Sequence, residues 1–182
     1  MKDKFLNNEF WTLTFSAAFQ RANVYKDNVT DTEKGEFKTK IRAFIENELL
    51  SHYSNQVSDE LHIENINKLS DFTKQFQNIL QNGKLNFGVS QKMLNLYLKY
   101  LWCNNKISEP PHFPVDRIIQ VKLLDQSKQT GITSIGIEAW TKFNDEKHYL
   151  KVINSARELI HKNENFKSYS LAKLELELFD RR

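Results

Sequence analysis

Apolar residues recur at helical spacing along nearly the whole chain. Phe10 to Phe19 is a dense run in which Trp11, Leu13, Phe15 and Phe19 suit one buried helix. Thr30 and Glu33 have the spacing of a capping box, in which each satisfies a donor of the other. Phe37, Ile41, Phe44, Ile45 and Leu49 then follow one helix face. Ser58 or Asp59 can cap a short helix through Ile66, and Leu69, Phe72, Phe76, Ile79 and Leu80 form a further stripe that stops at Asn82-Gly83. From Gln91 to Trp102 only Asn95 and Lys99 interrupt an apolar run past the first turn, which predicts a central helix packed by several neighbours. Cys103 to Pro114 contains every proline of the chain and reads as an extended loop. Asp116 is placed to cap a helix through about Leu124, 126–136 reads as a polar loop, and Trp140 to Phe143 as a short turn. Asp145 to His161 and Tyr169 to Phe179 read as the last helices. Val115 to Val121 has strand propensity, but Asp116-Arg117 and Lys122 at its ends favour a helix. The expected class is all-α, with eight or nine helices.

Composition narrows the function. The chain has 182 residues, 40% hydrophobic and 27% charged, which suits a single globular domain. One cysteine excludes an internal disulfide and a four-cysteine zinc or iron–sulfur site. Its five glycines form neither a Rossmann nor a P-loop phosphate cradle. The histidines at 52, 62, 112, 148 and 161 show no metal-ligand spacing, so neither a metal nor a cofactor is expected. No secretory leader or membrane-length apolar run is visible, and the expected location is the cytoplasm. The net charge is +3, yet it is unevenly placed. Residues 83–128 carry seven cations and three anions, a surplus of +4, while the remainder of the chain is −1. A local cation excess is what the salt-dependent part of nucleic-acid affinity requires.

The same segment contains the residues with chemical potential. Phe87-Gly88-Val89-Ser90-Gln91-Lys92 turns from one helix into the start of another. Backbone N–H groups without partners at such a start, aided by the helix dipole, can bind a phosphate, and Gly88 would let the backbone come close. A plain helix–helix corner capped by Ser90 is the other reading of these residues. Lys92 is expected in the first turn of an apolar helix, where burial and the positive helix end would both lower its pKa and make it a better nucleophile. Asp116 lies on a Pro-Val-Asp turn, rigid enough to hold a carboxylate against developing positive charge.

Gly88-Val89-Ser90-Gln91-Lys92 ahead of an apolar helix, and then His112-Phe113-Pro114-Val115-Asp116-Arg117-Ile118, together resemble the helix-hairpin-helix DNA glycosylase superfamily. With a single cysteine, the likeness is to its 8-oxoguanine-glycosylase-like branch that lacks an iron–sulfur cluster. The resemblance spans about 35 residues, with Ser90 where the family has a third glycine. It implies two helical lobes around a cleft, one lobe being 1–29 plus 126–182 and the other 30–125. It implies that Gly88, Val89, Ser90 and Gln91 bind a DNA phosphate, that Lys92 is the nucleophile and that Asp116 is the catalytic carboxylate. His112, Phe113 and Trp102 are the expected base pocket. The implied activity is excision of a modified base from double-stranded DNA by a monomeric enzyme, with strand-cleaving lyase activity where the lysine attacks C1′. Two other readings stay open. One is a non-catalytic helix-hairpin-helix DNA-binding module, the other an all-α interaction or toxin-type protein. Arg157 and His161 fall one residue short of the arginine-to-histidine spacing of the HEPN ribonucleases, which argues against that family.

Overall fold

A computed structural model describes residues 1–179; the last three positions of the lobe expected over 126–182 lie outside it. Among the described residues the chain is helical without a named strand. It has seven α-helices: α1 (Lys2–Phe19), α2 (Asp31–Phe44), α3 (Asp59–Phe72), α4 (Phe87–Cys103), α5 (Arg117–Thr130), α6 (Lys147–Lys162) and α7 (Leu171–Leu178). A π-helical turn over Ile45–Leu49 and a 3-10 turn over Leu50–Ser54 extend α2, and Trp140–Lys142 forms a further 3-10 turn. No described helix is long and apolar enough to cross a membrane.

α4 is the axis of the fold, as its pattern predicts: 12 of its 17 residues are buried. It packs against α1 and α3 and against the Trp140 turn, while α6 contacts both α5 and α7. Trp11 of α1 stacks on Tyr97 of α4, with ring centroids 4.0 Å apart. Phe15 and Ala18 continue this buried face of α1. The polar residues before Phe10 do not end α1, because they find partners on α2 and the turn after it: Asn7 donates to Glu46 (2.8 Å) and Arg42 donates to Asn8 (2.8 Å).

The Thr30–Glu33 capping box forms as expected. The stripe from Leu69 to Leu80 does not make one helix. The Thr73 hydroxyl donates to the Ser70 carbonyl (2.6 Å) and accepts from the Leu85 amide (2.9 Å), closing α3 at Phe72. Beyond a 3-10 turn over Thr73–Phe76, the chain pairs with residues 24–26 instead, through Lys26 N–H to Ile79 and Gln81 N–H to Val24, both 2.9 Å. Gly83 then takes φ of +72°, which favours glycine. Conversely α3 runs unbroken through Ile66, where a short helix is expected to stop. Joining the expected 58–66 segment to the start of the Leu69–Leu80 stripe, whose end is not helical, leaves seven helices instead of eight or nine.

Candidate active-site cleft

α4 begins four residues earlier than its apolar run suggests, because Asn86 caps it. The Asn86 side chain accepts from the Val89 amide at 3.0 Å. This corrects the expected phosphate-binding hairpin at Gly88, Val89, Ser90 and Gln91. All four lie inside α4 and are buried, and the first three amides are taken within the chain. Gly88 N–H donates to the Phe143 carbonyl (3.0 Å), Val89 to Asn86 Oδ1, and Ser90 to the Asn86 carbonyl (3.1 Å). Gln91 donates to the Val115 carbonyl (2.8 Å) and accepts from the Val115 amide (3.1 Å), stitching α4 to the chain just before α5. The need for glycine at 88 is therefore packing. A Cβ there would overlap the carbonyl of Trp140.

The earlier start also moves Lys92 into the second turn of α4. Its ammonium meets Asp116: Nζ lies 2.9 Å from Oδ2, with the side chains 10% and 19% exposed. Asp116 is the N-cap of α5, as its sequence position suggests. Oδ1 accepts from the amides of Ile118 (2.8 Å) and Ile119 (3.1 Å), leaving Oδ2 for the lysine. Trp140 covers the ammonium, with its ring centroid 4.6 Å from Nζ. Pairing, capping and the indole thus hold both groups in one geometry.

This pair opens into a cleft of about 410 Å³. Its walls come from the end of α1 and the turn after it (Ala17, Gln20, Arg21), from α5 (Arg117, Ile118, Val121, Lys122) and from Trp140. Arg21, Arg117 and Lys122 make no ion pair with any described residue, whereas Asp116, the only lining carboxylate among the described residues, is already engaged. The charge surplus of 83–128 narrows accordingly. Lys84, Lys92, Lys99, Lys106 and Lys128 are each paired with a carboxylate, leaving Arg117 and Lys122. Arg21 and Trp140 are the residues that sequence reasoning missed, because each reaches the cleft only through tertiary packing.

One α4 face thus carries two ion pairs. Two turns after Lys92, Lys99 meets Glu175 of α7 at 2.6 Å. Burial raises the Glu175 carboxyl above its ordinary range, and the Lys99 ammonium offsets part of that.

The expected base pocket is not open. His112 is fully buried and Phe113 is 2% exposed, and the gap that they line with Trp102 has no volume accessible to water. His112 belongs to a polar network through the core. Its Nδ1 faces the Tyr149 hydroxyl at 3.0 Å and its Nε2 faces Asp59 at 3.1 Å. Asn95 of α4 donates to Tyr149 at 3.1 Å. Asp59 in turn accepts from Arg157 at 2.7 and 2.6 Å. Arg157 therefore closes this network instead of forming a catalytic arrangement with His161. Beside it, His62 faces the Tyr53 hydroxyl at 2.8 Å, and Asn65 donates to the same oxygen at 3.2 Å. Burial depresses His62 to about 3 and His112 to about 4, so both rings are neutral in the folded protein at neutral pH.

Among the described residues, no three histidine, cysteine or carboxylate groups gather as a metal-ligand set. No family model matches the chain, and neither a curated protein nor a solved structure matches it.

Proposed function

We propose that this protein is a DNA glycosylase that excises a modified base, with Lys92 as nucleophile and Asp116 as the carboxylate that serves it. The observation that carries this reading is the 2.9 Å contact between Lys92 Nζ and Asp116 Oδ2 on the wall of a cation-rimmed cleft. A lysine nucleophile must lose a proton before it can attack. Asp116 Oδ2 is placed to take it, since Oδ1 is held by two amides.

The chemistry follows from that pair. The neutral amine attacks C1′ of the extruded nucleotide, a C–N bond forms between Nζ and C1′, and the bond from C1′ to the base breaks. The departing base carries the bonding electrons and takes the proton that Asp116 accepted from the lysine, which returns Asp116 to its carboxylate form. The carboxylate, close to C1′, stabilises the positive charge that develops there. Opening of the sugar then gives a Schiff base on Lys92, from which elimination of the 3′ phosphate cleaves the strand. Trp140 offers an aromatic surface beside the reacting groups, and Ile118 and Val121 supply apolar wall.

The two-lobed arrangement belongs to the same proposal. It would set 1–29 plus 126–182 against 30–125; the cleft draws residues from the N-terminal segment on one side and from α4 and α5 on the other, while α1 itself packs chiefly on α4. The test is a panel of duplexes carrying different modified bases, read by strand nicking after heat or base. Wild type should cleave at least one duplex and form a borohydride-stable adduct with it. Equal trapping by wild type and Lys92→Gln overturns the assignment of the nucleophile. Asp116→Asn separates excision from mere DNA binding, because it should abolish the first and keep the second.

A further inference from the structure

The Gly88, Val89 and Ser90 amides are consumed within the chain, so a DNA-acting protein with this fold must hold the phosphate backbone elsewhere. Five surfaces carry cations without a carboxylate partner among the described residues: the N-terminal end of α1 (Lys2, Lys4), Lys26 against the Gln77 carbonyl, the flank of α2 (Lys38, Lys40), the loop and helix around Lys142 and Lys151, and the cleft. Only the cleft joins three such cations, Arg21, Arg117 and Lys122, around a concave opening that also contains an ion pair.

Arg117 is the most telling of the three. It occupies the first position of α5, where the helix dipole disfavours a positive charge, and the one carboxylate at that helix start, the Asp116 cap, is engaged by two amides and by Lys92. It is exposed and has no internal partner. Arg21 is exposed on the turn that follows α1, and Lys122 stands one and a half turns along α5 from Arg117. Ile118 beside them is 44% exposed, so the rim presents an apolar side chain between its charges. Charge of one sign around a concave opening raises the local concentration of a polyanion and steers its approach.

We infer that Arg21, Arg117 and Lys122 form the phosphate grip for a DNA duplex, holding the backbone on the rim of the cleft in place of a hairpin. The proposal rests on the base-excision reading for the identity of the polyanion, but it is tested independently of catalysis. Each phosphate neutralised by a basic side chain releases condensed counterions, so the slope of log affinity against log salt reports how many contacts are made.

The experiment measures binding of a short fluorescent duplex carrying one tetrahydrofuran abasic-site analogue over a salt series. The proteins are wild type, a triple variant (Arg21→Gln, Arg117→Gln, Lys122→Gln) and a control pair (Lys40→Gln, Lys151→Gln), each first shown to unfold at the wild-type temperature. The expected result is that the triple variant loses roughly 0.9 of slope per contact, about 2.7 in all, while the control keeps the wild-type slope. An unchanged slope in the triple variant, an equal loss in the control, or no salt-dependent binding by wild type overturns the grip. If wild type binds with a rim-dependent slope and neither nicks nor traps on any modified duplex, the base-excision reading fails and the grip stands. If excision is intact and the slope is unmoved, the reverse holds.

Discussion

Lys92 and Asp116 are 24 residues apart in sequence, and their charged atoms are 2.9 Å apart in the fold. The carboxylate divides its oxygens, one for the start of α5 and one for the lysine. That division separates its structural from its chemical role by substitution. Asn caps a helix about as well as Asp, so Asp116→Asn should keep α5 intact and lose only the ion pair, at about 2 kcal/mol for a partly buried contact. Asp116→Ala should cost about 1 kcal/mol more, because the cap goes too. Both should abolish base excision. Urea midpoints that are the same for Asn and Ala would show that the cap carries no weight, and retained excision in Asp116→Asn would remove the carboxylate from the mechanism.

Gly88 gives the clearest packing prediction. A methyl group there would collide with the Trp140 backbone, and backbone cannot turn aside as a flexible side chain can. The same contact brings Trp140 over the Lys92 ammonium. Gly88→Ala should therefore destabilise the fold by about 3 kcal/mol, at the upper end of ordinary overpacking. It should also displace the indole, which a shift in Trp fluorescence would register. A variant as stable as wild type would mean that the 140–143 turn moves freely off α4.

Much of this was legible before the fold was known. Helical periodicity revealed α4 as the central element, and Asp116 and Thr30 announced themselves as caps because capping chemistry is local. The roles given to Lys92 and Asp116 follow from a family resemblance, not from spacing, and their direct ion pair is visible only in the fold. What stayed hidden is tertiary. Glycine at 88 fits both an exposed phosphate cradle and a close helix–turn contact, and only the partner, the Trp140 carbonyl, distinguishes them. His112, four residues before Asp116, looked like a pocket residue, yet its ring turns away into the core to meet Tyr149 and Asp59. Charge counting likewise could not see that five of the seven cations in 83–128 are paired, mostly with carboxylates from other elements.

The buried histidines make acid stability a second readout of the core. His62 and His112 have folded pKa values of about 3 and about 4, below the ordinary 6.5. In the unfolded chain both take up a proton near pH 6.5, while the folded protein resists. Stability is thus fully present above about pH 6.5 and is lost as pH falls toward 4 and then 3. The full effect is about 1.4 kcal/mol per pH unit for each ring once the unfolded state is protonated. Glu175 works in the opposite sense, since its raised carboxyl binds a proton more readily when folded. One such group cannot cancel two histidines. Urea midpoints measured from pH 7 to 5, before ordinary carboxylates titrate, should fall with a slope that His112→Gln reduces. A flat profile would contradict neutral burial of these rings.

Gln120 ties the capped end of α5 to a second cavity of about 500 Å³, which includes Glu138 and His148. Fully buried, it donates from Nε2 to the carbonyls of Asp116 (3.1 Å) and Glu138 (3.0 Å). Two carbonyl partners fix which end of the amide is nitrogen. Oε1 must then accept, from the Glu138 amide at 3.0 Å and from His148 Nε2 at 3.1 Å. Gln120→Leu would leave these buried groups unsatisfied and should cost about 3 kcal/mol or more. Gln120→Glu is the sharper test. The introduced carboxylate would set an acceptor against two carbonyls, so its charged form is disfavoured in the folded state and its folded pKa is raised. That contribution is fully favourable below the unfolded carboxylate pKa and is lost as pH rises through the folded one. Gln120→Glu should therefore be destabilised at pH 7 and recover relative to wild type toward pH 5, while Gln120→Leu should show no such recovery. Parallel pH profiles for the two variants would mean that the amide orientation is not set by the carbonyls of Asp116 and Glu138.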